Sequence, residues 1–118
     1  MALTLYGIST CGTVKKAKKW LDDRGVDYEW VDFRKTPPAQ GTVDGWVSAL
    51  GAKPMRNTSG GAYRALPDDK KTWDDATWAT HFGQDPMLIK RPLIVKDGTA
   101  IKAGFRGSDE ELQAQLLG

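Results

Sequence analysis

The chain has one cysteine, Cys11, and one histidine, His81. A single thiol excludes an internal disulfide framework, and a thiol plus one imidazole excludes a Cys- or His-rich metal site, so no bound metal is expected. Charge of one sign is also scarce. Against 17 lysines and arginines stand 15 aspartates and glutamates, a formal net charge of +2. That is too balanced for the surface field of a nucleic-acid-binding protein. Nucleic acid is therefore not expected as a partner, and any anion must be gripped by a local arrangement. No apolar run approaches the roughly 20 residues that cross a bilayer. The opening Met1-Ala2-Leu3-Thr4-Leu5-Tyr6 lacks the basic-then-apolar layout of a secretion signal. The expectation is a cytoplasmic protein with no membrane partner. Internal repeats and low-complexity stretches are missing as well.

What remains is the composition of an ordinary globular domain: 118 residues, 40% hydrophobic and 27% charged, enough for one core and too apolar for disorder. Leu3 and Leu5 alternate within Leu3–Ile8 as a half-buried strand would. After the polar turn Ser9-Thr10-Cys11-Gly12-Thr13, Val14, Ala17, Leu21 and Arg24 recur at helical spacing beside Trp20, and Gly25 suits a left-handed helix end. Tyr28–Phe33 is aromatic and branched, a second strand closed off by Pro37-Pro38. Val43, Trp46, Val47 and Leu50 mark one face of a second helix, with Thr42 as its cap, Asp44 at its positive end and Gly51 closing it. Arg56–Gly61 reads as a loop. Pro67–Phe82 reads as one or two short helices burying Trp73, Ala76, Ala79 and Phe82, ended by Asp85-Pro86. Leu93–Lys96 and Thr99–Phe105 flank Asp97-Gly98, a strong hairpin turn. Ser108 and Glu111 form a capping box ahead of Leu112, Leu116 and Leu117. The order β-α-β-α, a helical stretch, then β-β-α predicts a parallel pair with a right-handed crossover, followed by a hairpin. The five tryptophans fall at spacings that mark core packing and give no sign of a ligand.

Cys11 follows a strand and opens a helix. The first N–H groups of a helix lack internal partners and the dipole is positive there, so a thiolate is favoured over a thiol. Lys15 adds a cation one turn on. Gly12 and the hydroxyls of Ser9, Thr10 and Thr13 leave room and donors for an anion. A lone cysteine is commonly a small buried hydrophobe, but polar neighbours on both sides of a strand–turn–helix junction favour a reactive site. Spacing removes two alternatives. A Cys-x-x-Cys pair would need a thiol where Val14 stands, and a phosphatase loop would need an arginine where Ala17 stands. The site is monothiol, so the resolving thiol comes from outside, glutathione or a glutaredoxin being the natural source.

Tyr6-Gly7-Ile8-Ser9-Thr10-Cys11-Gly12-Thr13-Val14-Lys15-Lys16-Ala17 resembles the opening of the ArsC family, and Asp85–Val95 resembles its second signature, an Arg-Pro pair before a strand. The family contains glutaredoxin-linked arsenate reductases, the Spx transcription regulators and a YffB-like branch. The resemblance implies one α/β domain over residues 1–118: a thioredoxin-like fold, a mixed four-stranded sheet flanked by helices, with a helical insertion at about 52–88. It implies a cis Pro92 facing Cys11, and Arg91 as the catalytic partner that holds an oxyanion, a task suited to its planar fork. Arg56 and Arg106 are the candidates for two further family arginines, and Ser59 stands where the YffB-like branch often has one. Thr10, Gly12, Thr13, Lys15, Arg56, Pro92 and Arg106 are thus the expected substrate-binding set around Cys11 and Arg91.

The leading implied activity is reduction of arsenate, As(V) to As(III), by a monomer using glutathione and glutaredoxin with no bound cofactor. Gly7 stands where arsenate reductases often have a histidine, which favours a second reading, a glutathione-dependent reductase of mixed disulfides. A third is an Spx-like module that binds RNA polymerase. The missing Cys-x-x-Cys switch counts against it. The cluster Lys15, Lys16, Lys18 and Lys19 suits an acidic partner, although Lys18–Asp22 and Lys19–Asp23 are spaced to pair along a solvated helix face.

Overall fold

The computed structural model describes residues 2–118; Met1 of the opening stretch lies outside the described residues. Strand β1 (Leu3–Gly7) leads into helix α1 (Gly12–Asp23), strand β2 (Glu29–Asp32) and helix α2 (Gln40–Leu50). Short helices α3 (Ala52–Met55) and α4 (Gly61–Arg64), a 3-10 turn at Asp68–Thr72, helix α5 (Asp75–Gln84) and a 3-10 turn at Pro86–Leu88 come next. Strands β3 (Leu93–Lys96) and β4 (Thr99–Ala103) and helix α6 (Asp109–Leu117) complete the chain.

The sheet order is β2-β1-β3-β4. β1 runs parallel to β2, with Leu5 opposite Trp30, and antiparallel to β3, with Leu5 opposite Ile94. β3 and β4 form the expected hairpin. Its turn residues Asp97 (φ 51) and Gly98 (φ 84) are both left-handed, the conformation a two-residue hairpin loop requires. Alternation places the strand side chains on two faces. Leu3, Leu5 and Ile94 pack with Ala17, Trp20 and Leu21 of α1 and with Leu112 and Leu116 of α6. Leu93 and Val95 pack on the other side with Val43, Trp46 and Val47 of α2 and with Trp78 and Phe82 of α5. On the first face Trp20 Nε1 donates to Asp109 Oδ1 at 3.1 Å, while the Arg24 guanidinium lies 3.8 Å from the Trp20 ring centre. This locks α1 to the start of α6. That start has the capping box, Ser108 Oγ accepting from the Glu111 N–H at 3.2 Å.

Several local expectations are corrected. α2 begins at Gln40, so Thr42 sits inside its first turn and caps nothing. The Gln40 amide instead donates to Ala79 O of α5 at 2.8 Å and to Asp44 Oδ1 at 2.9 Å. Gly83 is bare of a side chain where that amide lies; any Cβ there would overlap it. In α5 the buried face is Trp78, Ala79 and Phe82; Ala76 is exposed and Trp73 half-buried. Asp74 sets this register by accepting the Thr77 N–H at 2.8 Å. β4 stops at Ala103, where Gly104 turns left-handed at φ 85, so Phe105 lies beyond the strand. Lys19 does pair with Asp23 at 2.9 Å, but Lys18 sits 3.7 Å over the Trp30 ring, an apolar and π-rich face that an exposed carboxylate does not match. Among the described residues no helix is long and apolar enough to cross a membrane.

Candidate active site

β1 ends under the N-terminus of α1, and Cys11 occupies the N-cap with an extended backbone (φ −77, ψ 125). Its N–H donates to Ile8 O at 3.2 Å, and its carbonyl accepts the Lys15 N–H at 3.1 Å, the first bond of the helix. Asp32 at the end of β2 braces the same turn. Its carboxylate accepts the Arg34 N–H at 2.8 Å. That bond, outweighing the opposite effect of burial and aided by the Ser9 N–H, holds the Asp32 pKa below the usual carboxylate value.

At Cys11 two influences compete. Burial pushes the thiol pKa up. The N–H groups of Val14 and Thr13, then the N–H groups and charge of the Arg91 guanidinium, push it down, and together they prevail. The result is a thiol more acidic than an ordinary cysteine, half-buried and unbridged. The lowering follows from placement at the open end of a helix beside a cation.

Arg91 is aimed by carbonyls. Its Nη1 donates to Met87 O at 3.0 Å and to Ile89 O at 3.4 Å, while its buried Nε has no partner. The following Pro92 is buried, and the Arg91–Pro92 peptide is cis. The carbonyls that orient Arg91 belong to a segment zipped onto residues 55–57. Lys90 N–H donates to Met55 O at 2.7 Å, Asn57 N–H to Leu88 O at 2.8 Å, and Arg56 pairs with Ile89 in a β-bridge. Gly7 closes the packing from below. A Cβ there would lie 2.8 Å from Val14 Cγ2 and 3.6 Å from Arg91 Cβ. No larger side chain enters that position unless Val14 of α1 yields.

Cys11 opens into a cleft of about 590 Å³. Lys16, Lys90, Arg91 and Arg106 give it four cations, and no carboxylate lines it. Asn57, Ser59 and Gly60 form a neutral polar side, and Ala103, Gly104 and Phe105 contribute the chain leaving β4. Of the expected residues, the structure brings Cys11, Thr13, Arg91 and Arg106 together. Thr10, Gly12, Lys15, Arg56 and Pro92 do not line the cleft. Thr10, Gly12 and Lys15, before and after Cys11 in the chain, are exposed. The Arg56 guanidinium departs furthest from expectation: it lies 4.9 Å over the Trp78 ring, with Nε buried and unpartnered. Lys16, Lys90 and Asn57 are lining residues the sequence reading passed over. For Lys90 the signal was present, since it is the immediate neighbour of Arg91. A second cleft of about 570 Å³ between α2 and α5 is lined by Asp44, Ser48, Asp75 and Thr80 among others. It has no thiol and no cation, so the chemistry belongs at Cys11. Among the described residues no three His, Cys, Asp or Glu side chains group as around a metal ion.

Comparison with known proteins gives one consistent result. The model of the ArsC family matches residues 6–114. Among solved structures, a YFFB protein superposes with a TM-score of 0.84 at 30% identity, over 97% of this chain and 98% of that one. The crystal structure of a possible arsenate reductase from Streptococcus mutans superposes with a TM-score of 0.80 at 40% identity, over 94% and 97%. The uncharacterised Bacillus subtilis protein YusI is 36% identical over 90% of this chain and 92% of its own length. At 26% identity come an arsenate reductase of Neisseria meningitidis (76% of this chain, 80% of that protein) and the transcriptional regulator Spx 2 of Bacillus anthracis (97% and 86%).

Proposed function

Because this chain belongs to the ArsC family, we propose that it is a monothiol oxidoreductase in which the Cys11 thiolate attacks an electrophile held by Arg91, with arsenate reduction at the expense of glutathione as its leading activity. The observation that carries this reading is the pairing of an acidified Cys11 with Arg91 in one basic cleft. The thiolate displaces one arsenate oxygen, which leaves as water, and an S–As bond forms. Arg91, Arg106 and the open N–H groups of α1 face the remaining oxygens, where negative charge concentrates. A glutathione thiol displaces a second oxygen as water. A further thiol, from glutaredoxin, then attacks the glutathione sulfur. A disulfide forms, the S–As bonding pair stays on arsenic, and As(V) becomes As(III). Water releases arsenite and returns Cys11. Among the protein's own groups, only the thiol changes covalently.

A second reading has its own support. Arg56 is turned onto Trp78, Gly7 leaves no room for an added histidine, and the cleft is far larger than a tetrahedral oxyanion. These features suit a glutathione mixed disulfide as the electrophile, attacked at sulfur by the same thiolate.

The test is NADPH oxidation coupled through glutathione reductase and glutathione, with arsenate and glutaredoxin in one series and a glutathionylated thiol without glutaredoxin in the other. Arsenate-dependent turnover lost in Cys11→Ser and lowered about a hundredfold in Arg91→Ala supports the first reading. Turnover only with the mixed disulfide moves the assignment to the second. No turnover in either series by folded protein overturns both.

A further inference from the structure

The cleft contains two cations that the mechanism leaves unused, Lys16 on α1 and Lys90 beside Arg91. Lys90 is exposed, lines the cleft beside Arg91, and has no carboxylate partner among the described residues. Its backbone is fixed, because the Lys90 N–H donates to Met55 O at 2.7 Å. Its stem lies against Gly104. A Cβ on Gly104 would lie 3.0 Å from Lys90 Cδ and 3.4 Å from Cγ. The aliphatic chain therefore runs across a bare glycine surface that any other residue would fill. Gly104 is itself held in place, with φ 85 and its N–H donating to Pro92 O at 2.8 Å. Lys90 thus joins the lining of the Cys11 cleft from an anchored backbone, with its stem lying over Gly104. The φ of Gly104 itself calls for glycine, and the space left by the missing side chain is where the Lys90 stem lies.

We infer that Lys90, seated on Gly104, is a specificity-determining residue that binds a carboxylate or oxyanion of the substrate at a second point, apart from the group attacked by Cys11. This rests on the thiolate reading above but not on arsenate as the electrophile. Lys90 acts on which substrate is captured, and Arg91 on the thiolate and the reacting centre. The separation predicts a charge-selective effect: anionic electrophiles lose from removal of Lys90, and neutral ones do not.

Single-turnover reaction of Cys11 with two aromatic disulfides reads this directly. One is 5,5′-dithiobis(2-nitrobenzoate), which carries two carboxylates; the other is neutral 4,4′-dithiodipyridine. In each case the thiolate takes one sulfur, a protein–aryl mixed disulfide forms and one aryl thiolate leaves, so electrons balance without another reductant. At low salt, Lys90→Met lowers the rate with the anionic disulfide about fivefold and leaves the neutral one within a factor of about two, as expected for one partly exposed ion pair. Lys90→Arg restores the anionic rate. Lys53→Met, which removes an exposed lysine of α3 outside the cleft, changes neither. Equal slowing of both disulfides by Lys90→Met, no slowing at all, or the same effect from Lys53→Met would overturn the inference. A wild-type Cys11 no faster than a free thiol with either probe would sink the thiolate reading itself, and Lys90 with it.

Discussion

Two segments converge on the Cys11 cleft, and they hold their arginines in opposite ways. In residues 90–92 the chain runs from the Met55 carbonyl into a buried cis proline and then into β3, and Arg91 is aimed at the thiol by the carbonyls of Met87 and Ile89. In residues 55–60 the same bridge is seen from the other strand, yet Arg56 turns back onto Trp78 and leaves Asn57, Ser59 and Gly60 to face the cleft. Both guanidinium groups have a buried Nε without a partner. One guanidinium belongs to the Cys11 cleft and the other packs on a ring. The side chain's neighbours decide this, since a flexible three-methylene stem gives an arginine several destinations from one backbone position.

The comparison breaks most severely at Trp78. It is fully buried, stacks near Tyr63, Trp73 and Phe82, and supports Arg56. Trp78→Ala should cost about 3–5 kcal/mol in urea unfolding, and release Arg56 from its seat. A loss under about 1 kcal/mol would show that the 55–60 side is not held by this ring. Gly7→Ala comes next. Its Cβ would press on Val14 and approach Arg91, an overpacking cost of about 1–3 kcal/mol. It should also disturb thiol reactivity, because it displaces the Cys11 side of the comparison. Arg56→Met should lower stability by about 1 kcal/mol through the lost ring contact, with Cys11 alkylation rates unchanged. A large fall in those rates would place Arg56 in the site after all.

The smallest effect is a pH dependence on the α5 side. The Asp74 pKa lies below its ordinary value chiefly because its carboxylate accepts the Thr77 N–H. The folded state therefore holds this proton less readily than the unfolded one. The cap contributes fully above the ordinary carboxylate value, ~3.9, and its contribution is lost as pH falls through the lower folded value. Acid unfolding of Asp74→Asn should show a shallower slope in that window. An unchanged slope would remove the cap from the account.

The same contrast explains how far the sequence could be read. Gly25, Asp97-Gly98 and Ser108 with Glu111 announce themselves because a left-handed end, a hairpin turn and a capping box are local devices, complete within a few residues. The strand–turn–helix placement of Cys11 and the Arg-Pro pair are also local, and with them came the fold and the heart of the site. Legibility fails where a distant group decides. α3 and α4 are single turns of four residues, too short to display a period of their own. Thr42 has the chemistry of a cap, but Gln40 reaches across to Ala79 O and starts the helix sooner. Ala76 fits an apolar stripe as well as Trp78 does until the Asp74 cap fixes the register. Arg56 had the right chemistry for the cleft, and only the tertiary structure shows that Trp78 claims it.

The helix end and Arg91 together make Cys11 more acidic than an ordinary thiol. The direct measurement is the pH dependence of Cys11 alkylation by iodoacetamide, a neutral reagent, in wild type and in Arg91→Met. The account predicts a midpoint below that of an ordinary cysteine in the wild type, and a rise toward the ordinary value in Arg91→Met, with part of the depression retained because the Thr13 and Val14 N–H groups remain. A wild-type midpoint at or above the ordinary thiol value, or one that Arg91→Met leaves in place, would contradict it.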